Sequence, residues 1–121
     1  MSRTLVVKCT VGADENVERC AQALTVAATG VAAGATVSLW LTGDATWLAV
    51  PGRAEAVELP HSAPFADLRD AVLAGGSITV CTQCAARRDL SEDELVPGAR
   101  IAGSASFVEQ ALADGAQTLV Y

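Results

Sequence analysis

Two stretches rich in β-branched and apolar residues, Thr4-Leu5-Val6-Val7-Lys8-Cys9 and Thr36-Val37-Ser38-Leu39-Trp40-Leu41, bracket a segment in which Val17, Cys20, Ala21, Leu24, Ala28 and Val31 recur at helical spacing. Near-continuous apolar runs belong to strands covered on both faces, and a strand, a helix and a second such strand form a parallel βαβ unit, which is right-handed almost without exception. Gly12 opens the turn after the first strand. Asp14 is placed to cap the helix, with Glu15 and Glu18 in its first turn, and the second strand stops at Thr42-Gly43-Asp44.

The same alternation continues. Asp44 is placed to cap a short helix through Leu48 that Pro51-Gly52 ends, and Arg53 to Ser62 is less regular. Pro64 suits the first turn of a helix with Phe65, Leu68 and Val72 on one face, closed by Gly75-Gly76. A third strand, Ser77 to Val80, runs directly into Cys81-Thr82-Gln83-Cys84-Ala85-Ala86-Arg87-Arg88, where helix-favouring residues begin. A short strand at Ala99 to Ala102 follows Pro97-Gly98, Ser106 and Glu109 have capping-box spacing, Gly115 ends that helix, and Gln117 to Tyr121 reads as the last strand. Five strands alternating with helices predict a flavodoxin-like three-layer α/β sandwich, a mostly parallel sheet with helices on both faces, in its simplest form with strand order 2-1-3-4-5.

At 121 residues the chain is the size of one compact domain, residues 1–121, and its 51% apolar share is enough for a sizeable core. With only 4% aromatic residues, that core is built mainly from Ala, Val and Leu. Fourteen acidic against eight basic residues give a net charge of −6, the wrong sign for attraction to nucleic acid or an anionic membrane. The opening Met1-Ser2-Arg3-Thr4 leads straight into Leu5 with neither a leader-like apolar region nor a cleavage site, and no apolar run reaches a membrane span, so the expectation is a cytoplasmic protein. Four cysteines in a reducing compartment then read as thiols, metal ligands or redox groups rather than structural disulfides.

Parallel α/β sheets place their sites outside the carboxyl ends of the strands, where Cys9 and Cys81 both fall. Cys81 is the stronger candidate: between a strand end and a helix start it meets unpaired amides that favour thiolate over thiol, and Arg87 and Arg88 add positive charge nearby. Cys81-x-x-Cys84 admits three readings. Both thiols can simply sit in the core, they can form a thioredoxin-like dithiol without the usual Trp-Cys-Gly-Pro-Cys context, or they can be half of a zinc site that needs Cys9, His61 or another subunit. Cys9 reads equally as a core residue and as a neighbour of the reactive thiol, while Cys20, on the apolar stripe, reads as core. His61 reads as a surface histidine and Asp44 as a cap. No phosphate-loop, dinucleotide or nucleophile-elbow motif is present, and no cofactor or metal is expected.

The blocks Ile78-Thr79-Val80-Cys81-Thr82-Gln83-Cys84-Ala85-Ala86-Arg87-Arg88-Asp89-Leu90, Val96-Pro97-Gly98-Ala99-Arg100-Ile101 and Gln117-Thr118-Leu119-Val120-Tyr121 resemble the DsrE/DsrF-like family, especially its small YchN-like branch. The likeness extends over essentially the whole chain, including Leu39-Trp40-Leu41-Thr42-Gly43-Asp44-Ala45. It implies a flavodoxin-like sheet, assembly into a homotrimer or homohexamer and, as in the sulfur-relay members, a cysteine that carries persulfide sulfur between donor and acceptor proteins. Cys81 matches the sulfur-carrying cysteine of the TusD and DsrE subunits, Arg87 and Arg88 match the basic pair downstream, and Cys84 matches the second cysteine of the YchN-like branch. The glycine that commonly follows the arginine is replaced here by Arg88-Asp89, and no partner subunit is evident in the chain. The function expected from the resemblance is sulfur carriage of the sulfurtransferase type, with a non-catalytic oligomeric binding protein or a dithiol redox protein as the alternatives.

Overall fold

The structure is a computed structural model that describes residues 3–121; Met1 and Ser2 of the opening segment lie outside the described residues. Five strands, β1 (Thr4–Cys9), β2 (Thr36–Leu41), β3 (Ser77–Cys81), β4 (Arg100–Ala102) and β5 (Ala116–Val120), form one all-parallel sheet. Four helices connect them: α1 (Val17–Ala32), α2 (Phe65–Gly75), α3 (Thr82–Arg87) and α4 (Ser104–Ala111). The α/β class is as the periodicity predicts. The strand order is not: it runs β4-β3-β2-β1-β5 instead of 2-1-3-4-5. Both orders are assembled from the same right-handed βαβ units, and periodicity does not say on which side of β1 the second strand docks.

The observed order has a simple consequence for the layers. From β1 to β4 every crossover advances in one direction, so α1 and α2 lie side by side on one face, with Ala85 of α3, Leu95 and Val96 in the same core. Only the β4-to-β5 connection reverses, and it carries α4 across the opposite face. Side chains of β1 and β2 divide accordingly. Val7, Cys9, Leu39 and Leu41 turn toward α1 and α2, whereas Lys8 and Trp40 turn toward α4, where both meet Phe107. Ser38 and Trp40 donate hydrogen bonds to Gln110 Oε1 at 2.7 and 2.9 Å, which ties α4 to the sheet.

Small residues set the distance between α1 and the sheet. The helix buries Cys20, Ala21, Ala23, Leu24, Ala27 and Gly30, and a Cβ at Gly30 would lie 2.9 Å from Leu5 and 3.0 Å from Val37. The buried stripe therefore falls one position earlier in its last two turns than Ala28 and Val31, which are only half-buried. Several caps also differ from the sequence reading. The side chain of Asn16, rather than Asp14, accepts the Arg19 amide at the start of α1. Gly103, without a side-chain cap, starts α4 ahead of Ser106. Asp44 lies inside a 3₁₀ helix, Gly43–Ala49, that follows Thr42, so its carboxylate is free for another partner. A capping box does occur, at Ser91 and Glu94, in the connection between α3 and β4.

Candidate functional site

In an open parallel sheet the favoured ligand position is where the connections from two neighbouring strands leave toward opposite faces. Here that point lies between β3 and β4, since β3 continues into α3 on the α1/α2 side and β4 into α4 on the other. Cys81 is the last residue of β3 and pairs with Ala102, the last residue of β4. Cys81 is also the N-cap of α3, and Gly103, directly after Ala102, is the N-cap of α4. Two helix starts thus converge beside one partly exposed thiol. Alternation along β3, with Thr79 paired to Trp40, turns Cys81 toward the α4 face, the face that also carries Lys8.

The electrostatics follow from this placement. Burial pushes the Cys81 thiol up, but the amides of Cys84 and Gln83, the neighbouring Cys84 thiol and the Lys8 ammonium together outweigh it and hold the thiol below its ordinary value. With only six residues, α3 has little macrodipole, so the local amides carry the effect. Lys8 is a contributor that the sequence reading missed. Its signal was the one charge inside an otherwise apolar strand, and its ammonium lies 4.5 Å from the centre of the Phe107 ring.

Cys84 is buried, and its sulfur accepts the Gly43 amide at 3.2 Å. Gly43 has φ +54°, and a Cβ there would stand 3.0 Å from the Thr10 carbonyl, so the turn after β2 needs a glycine to present that amide. The two arginines separate in role. Arg88 reaches back to the Cys84 carbonyl at 3.0 Å and forms an ion pair with Asp44 at 2.6 Å, which makes it a tie between α3 and the 3₁₀ helix. Arg87 faces solvent and has no ion pair among the described residues. Of the two, Arg87 is expected from the sequence to add positive charge near Cys81, but it is exposed and is not among the groups that favour the Cys81 thiolate.

Cys9 does not join Cys81. It is fully buried on the α1 side of the sheet, 3.9 Å from Cys20, and both thiols donate to the Val11 carbonyl at 3.4 Å. The Cys20 side chain, hydrogen-bonded to Cys9, holds the Cys9 thiol below its ordinary value, while the same contact and burial raise that of Cys20. His61 is exposed, in a left-handed turn, and lines an open cavity with Glu18, Ala21 and Tyr121 that no cysteine lines. No group of three or more His, Cys, Asp or Glu side chains among the described residues is arranged to hold a metal, so Cys81-x-x-Cys84 gains no further ligand from them. An open cavity of about 570 Å³ lies beside Asp44, between Gly12 and Trp47, with the Arg53 guanidinium stacked 4.4 Å over the Trp47 ring; no cysteine lines it. No helix among the described residues is long and apolar enough to cross a membrane.

Comparison with known proteins agrees with this architecture. The YchN protein of E. coli has a similar structure, with a TM-score of 0.70 at 15% identity and 100% of both chains covered. A protein of unknown function from Methanobacterium thermoautotrophicum is similar at a TM-score of 0.65 and 7% identity, again over 100% of both chains. At these identities the likeness is one of fold. None of the curated proteins matches the sequence. The sequence pattern of the DsrE/DsrF-like family matches residues 6–121, from Val6 within β1 through β5 and Tyr121, and the chain belongs to that family.

Proposed function

We propose that the protein is a sulfur carrier in which Cys81 accepts sulfane sulfur as a persulfide and passes it to an acceptor thiol. The observation that supports this reading is the position of Cys81: a partly exposed thiol, at the switch point of the sheet, with amides and an ammonium favouring its anion. In the loading step the Cys81 thiolate attacks the outer sulfur of a donor persulfide. The new S–S bond forms on Cys81, the donor S–S bond breaks, and the donor leaves as a thiol after taking up a proton. Transfer to the acceptor is the same exchange in the opposite sense, with Cys81 as the leaving thiolate. A persulfide is more acidic than a thiol and remains an anion, so the groups that favour the Cys81 thiolate also hold the loaded form.

Cys84 supplies a discharge route. Its thiolate attacking the inner sulfur of the Cys81 persulfide releases hydrosulfide and leaves a Cys81–Cys84 disulfide. Incubating the reduced protein with a low-molecular-weight persulfide and measuring intact mass tests the reading. One added sulfur is expected on wild type and none on Cys81→Ser; equal loading of both removes the proposal.

Self-association belongs to the same reading. One helix, α4, covers the face opposite α1 and α2, and Val108 on α4, Leu112 at its C-cap, and Leu119 and Val120 on the edge strand β5 are exposed. A trimer or a hexamer of this chain would bury that apolar surface. Sedimentation at micromolar concentration is expected to give one of these sizes, and a monomer would remove the claim. The chain would work in the cytoplasm, where donor and acceptor thiols remain reduced.

A further inference from the structure

The sulfur-carrier reading makes no use of Cys9 and Cys20, which are eleven residues apart in sequence and come from different elements. Cys9 ends β1 and Cys20 lies in the first turn and a half of α1. Their sulfurs are 3.9 Å apart, neither residue is exposed, and both aim at the same acceptor, the Val11 carbonyl. A disulfide has an S–S length of about 2.05 Å. Closure therefore asks for a movement of about 1.9 Å, shared between two side chains already in contact, with no rearrangement of the sheet.

We propose that Cys9 and Cys20 are a second, redox-active dithiol that closes to an intrachain disulfide when the protein meets a hydroperoxide. The Cys9 thiolate attacks the terminal oxygen of the hydroperoxide, the O–O bond breaks, and the alcohol, or water in the case of hydrogen peroxide, departs with a proton. Cys9 is then a sulfenic acid. Cys20 attacks that sulfur, the S–S bond forms and the S–O bond breaks, and the hydroxide leaves as water with the Cys20 proton. Two thiols have lost two electrons and two protons, and the peroxide has accepted both. The lowered Cys9 thiol fits the first role, and Cys20, whose sulfur is 3.9 Å away, is the thiol placed for the second.

The bond would fasten β1 to α1 across the turn that contains Gly12. That turn is closed by the Glu15 and Asn16 amides on the Gly12 carbonyl and by the Glu15 carboxylate on the Gly12 amide. It covers the thiols, so oxidation is gated by its opening and is slower than oxidation of Cys81.

The test uses Cys81→Ser/Cys84→Ser, which retains only this pair and removes the carrier thiol, so that its outcome is independent of sulfur loading. After treatment of the folded protein with hydrogen peroxide, intact mass is expected to fall by two hydrogens and free thiols to fall from two per chain to none. Trypsin cuts after Lys8 and Arg19, so the bond appears as peptides 9–19 and 20–53 joined, and dithiothreitol separates them. Adding Cys20→Ser should abolish the joined peptide and leave Cys9 as a dimedone-trapped sulfenic acid. The same joined peptide is sought in oxidised wild type, which keeps the test open if the double variant fails to fold. Absence of the joined peptide from folded protein in both chains, or its formation only in urea, would overturn the proposal.

Discussion

Gly12→Ala is the substitution that most directly tests whether the β1–α1 turn supports the thiol site. A Cβ at Gly12 would stand 2.7 Å from Asp44 Cβ and 3.1 Å from the Asp44 carbonyl carbon and oxygen. Carbon atoms in contact sit at about 3.5–4.0 Å, so the turn or the 3₁₀ helix must yield by about 1 Å. Overpacking of this kind costs about 1–3 kcal/mol. Asp44 holds Arg88, and the adjacent Gly43 amide holds Cys84 Sγ, so the displacement acts on the contacts that keep Cys84 covered. If the whole cost lowers the free energy of the local opening that exposes Cys84, its alkylation accelerates about 5- to 150-fold. Gly34→Ala is the control: Gly34 has φ +87° and nothing within 4 Å, so alanine there costs about 1–2 kcal/mol of backbone strain far from the thiols. Urea unfolding followed by tryptophan fluorescence gives the stability change, and timed alkylation with peptide mapping gives the Cys84 rate. A Gly12→Ala protein within about 0.5 kcal/mol of wild type, with an unchanged Cys84 rate, would refute the coupling.

Replacing Lys8 by Gln is expected to raise the apparent pKa of Cys81 alkylation, because the ammonium favours the thiolate, and to do so by more than Arg87→Gln; the rate of Cys81 labelling against pH in the two variants decides the order. Gln110→Leu leaves Trp40 Nε1 and the Ser38 hydroxyl without their acceptor in a site where both residues are buried. At about 1–3 kcal/mol for each of the two unsatisfied donors, an expected loss of about 2–6 kcal/mol is measurable by urea unfolding, and Gln110→Glu, which still accepts, should lose less. Glu55 accepts two hydrogen bonds from the buried Arg69 guanidinium, which with the Glu55 backbone amide holds the carboxyl at about 2, below its ordinary 4.5. The folded-state value is the lower one, so this stabilisation is fully present above about pH 4.5 and is lost as the pH falls toward about 2. Glu55→Gln should therefore be less stable than wild type at neutral pH and converge with it in acid, as thermal melts across that range would report.

The local grammar of this chain is legible because each signal is contained within a few residues. The apolar runs of β1 and β2, the helical repeat of α1 and the change of period at Cys81 are all read without any knowledge of distant neighbours, and they give the α/β class and the place of Cys81 between a strand end and a helix start. What is not legible depends on which distant elements come together. Asp44 and Arg88 pair across 44 positions, and the capping preference of an aspartate gives no hint of that partner. Lys8 acts on Cys81 only because two intervening pairings, β1 to β2 and β2 to β3, bring their strands into one sheet with those side chains on one face. Cys9 and Cys20 meet because α1 folds back over its own strand. Spacing alone gives Cys20 as an apolar position, which is correct for its burial and silent about its neighbour.

Six residues of helix, taken alone in water, would hardly be helical, since the first hydrogen-bonded turn costs more conformational entropy than it returns. In this protein α3 is gripped at two points outside itself, the Gly43 amide on Cys84 Sγ and Arg88 on Asp44. The amides that face the Cys81 sulfur are thereby oriented before any reaction begins, and they need not be ordered at the moment an anion forms on it. A dipole that is already aligned has no reorganisation energy to supply, whereas water in the same position would have to turn toward the new charge at every transfer. In the proposed carrier, loosening either grip would leave the cysteine in its place and the amides in theirs on average, yet return that reorganisation to each sulfur transfer. The site would then lose rate without losing a single reacting group.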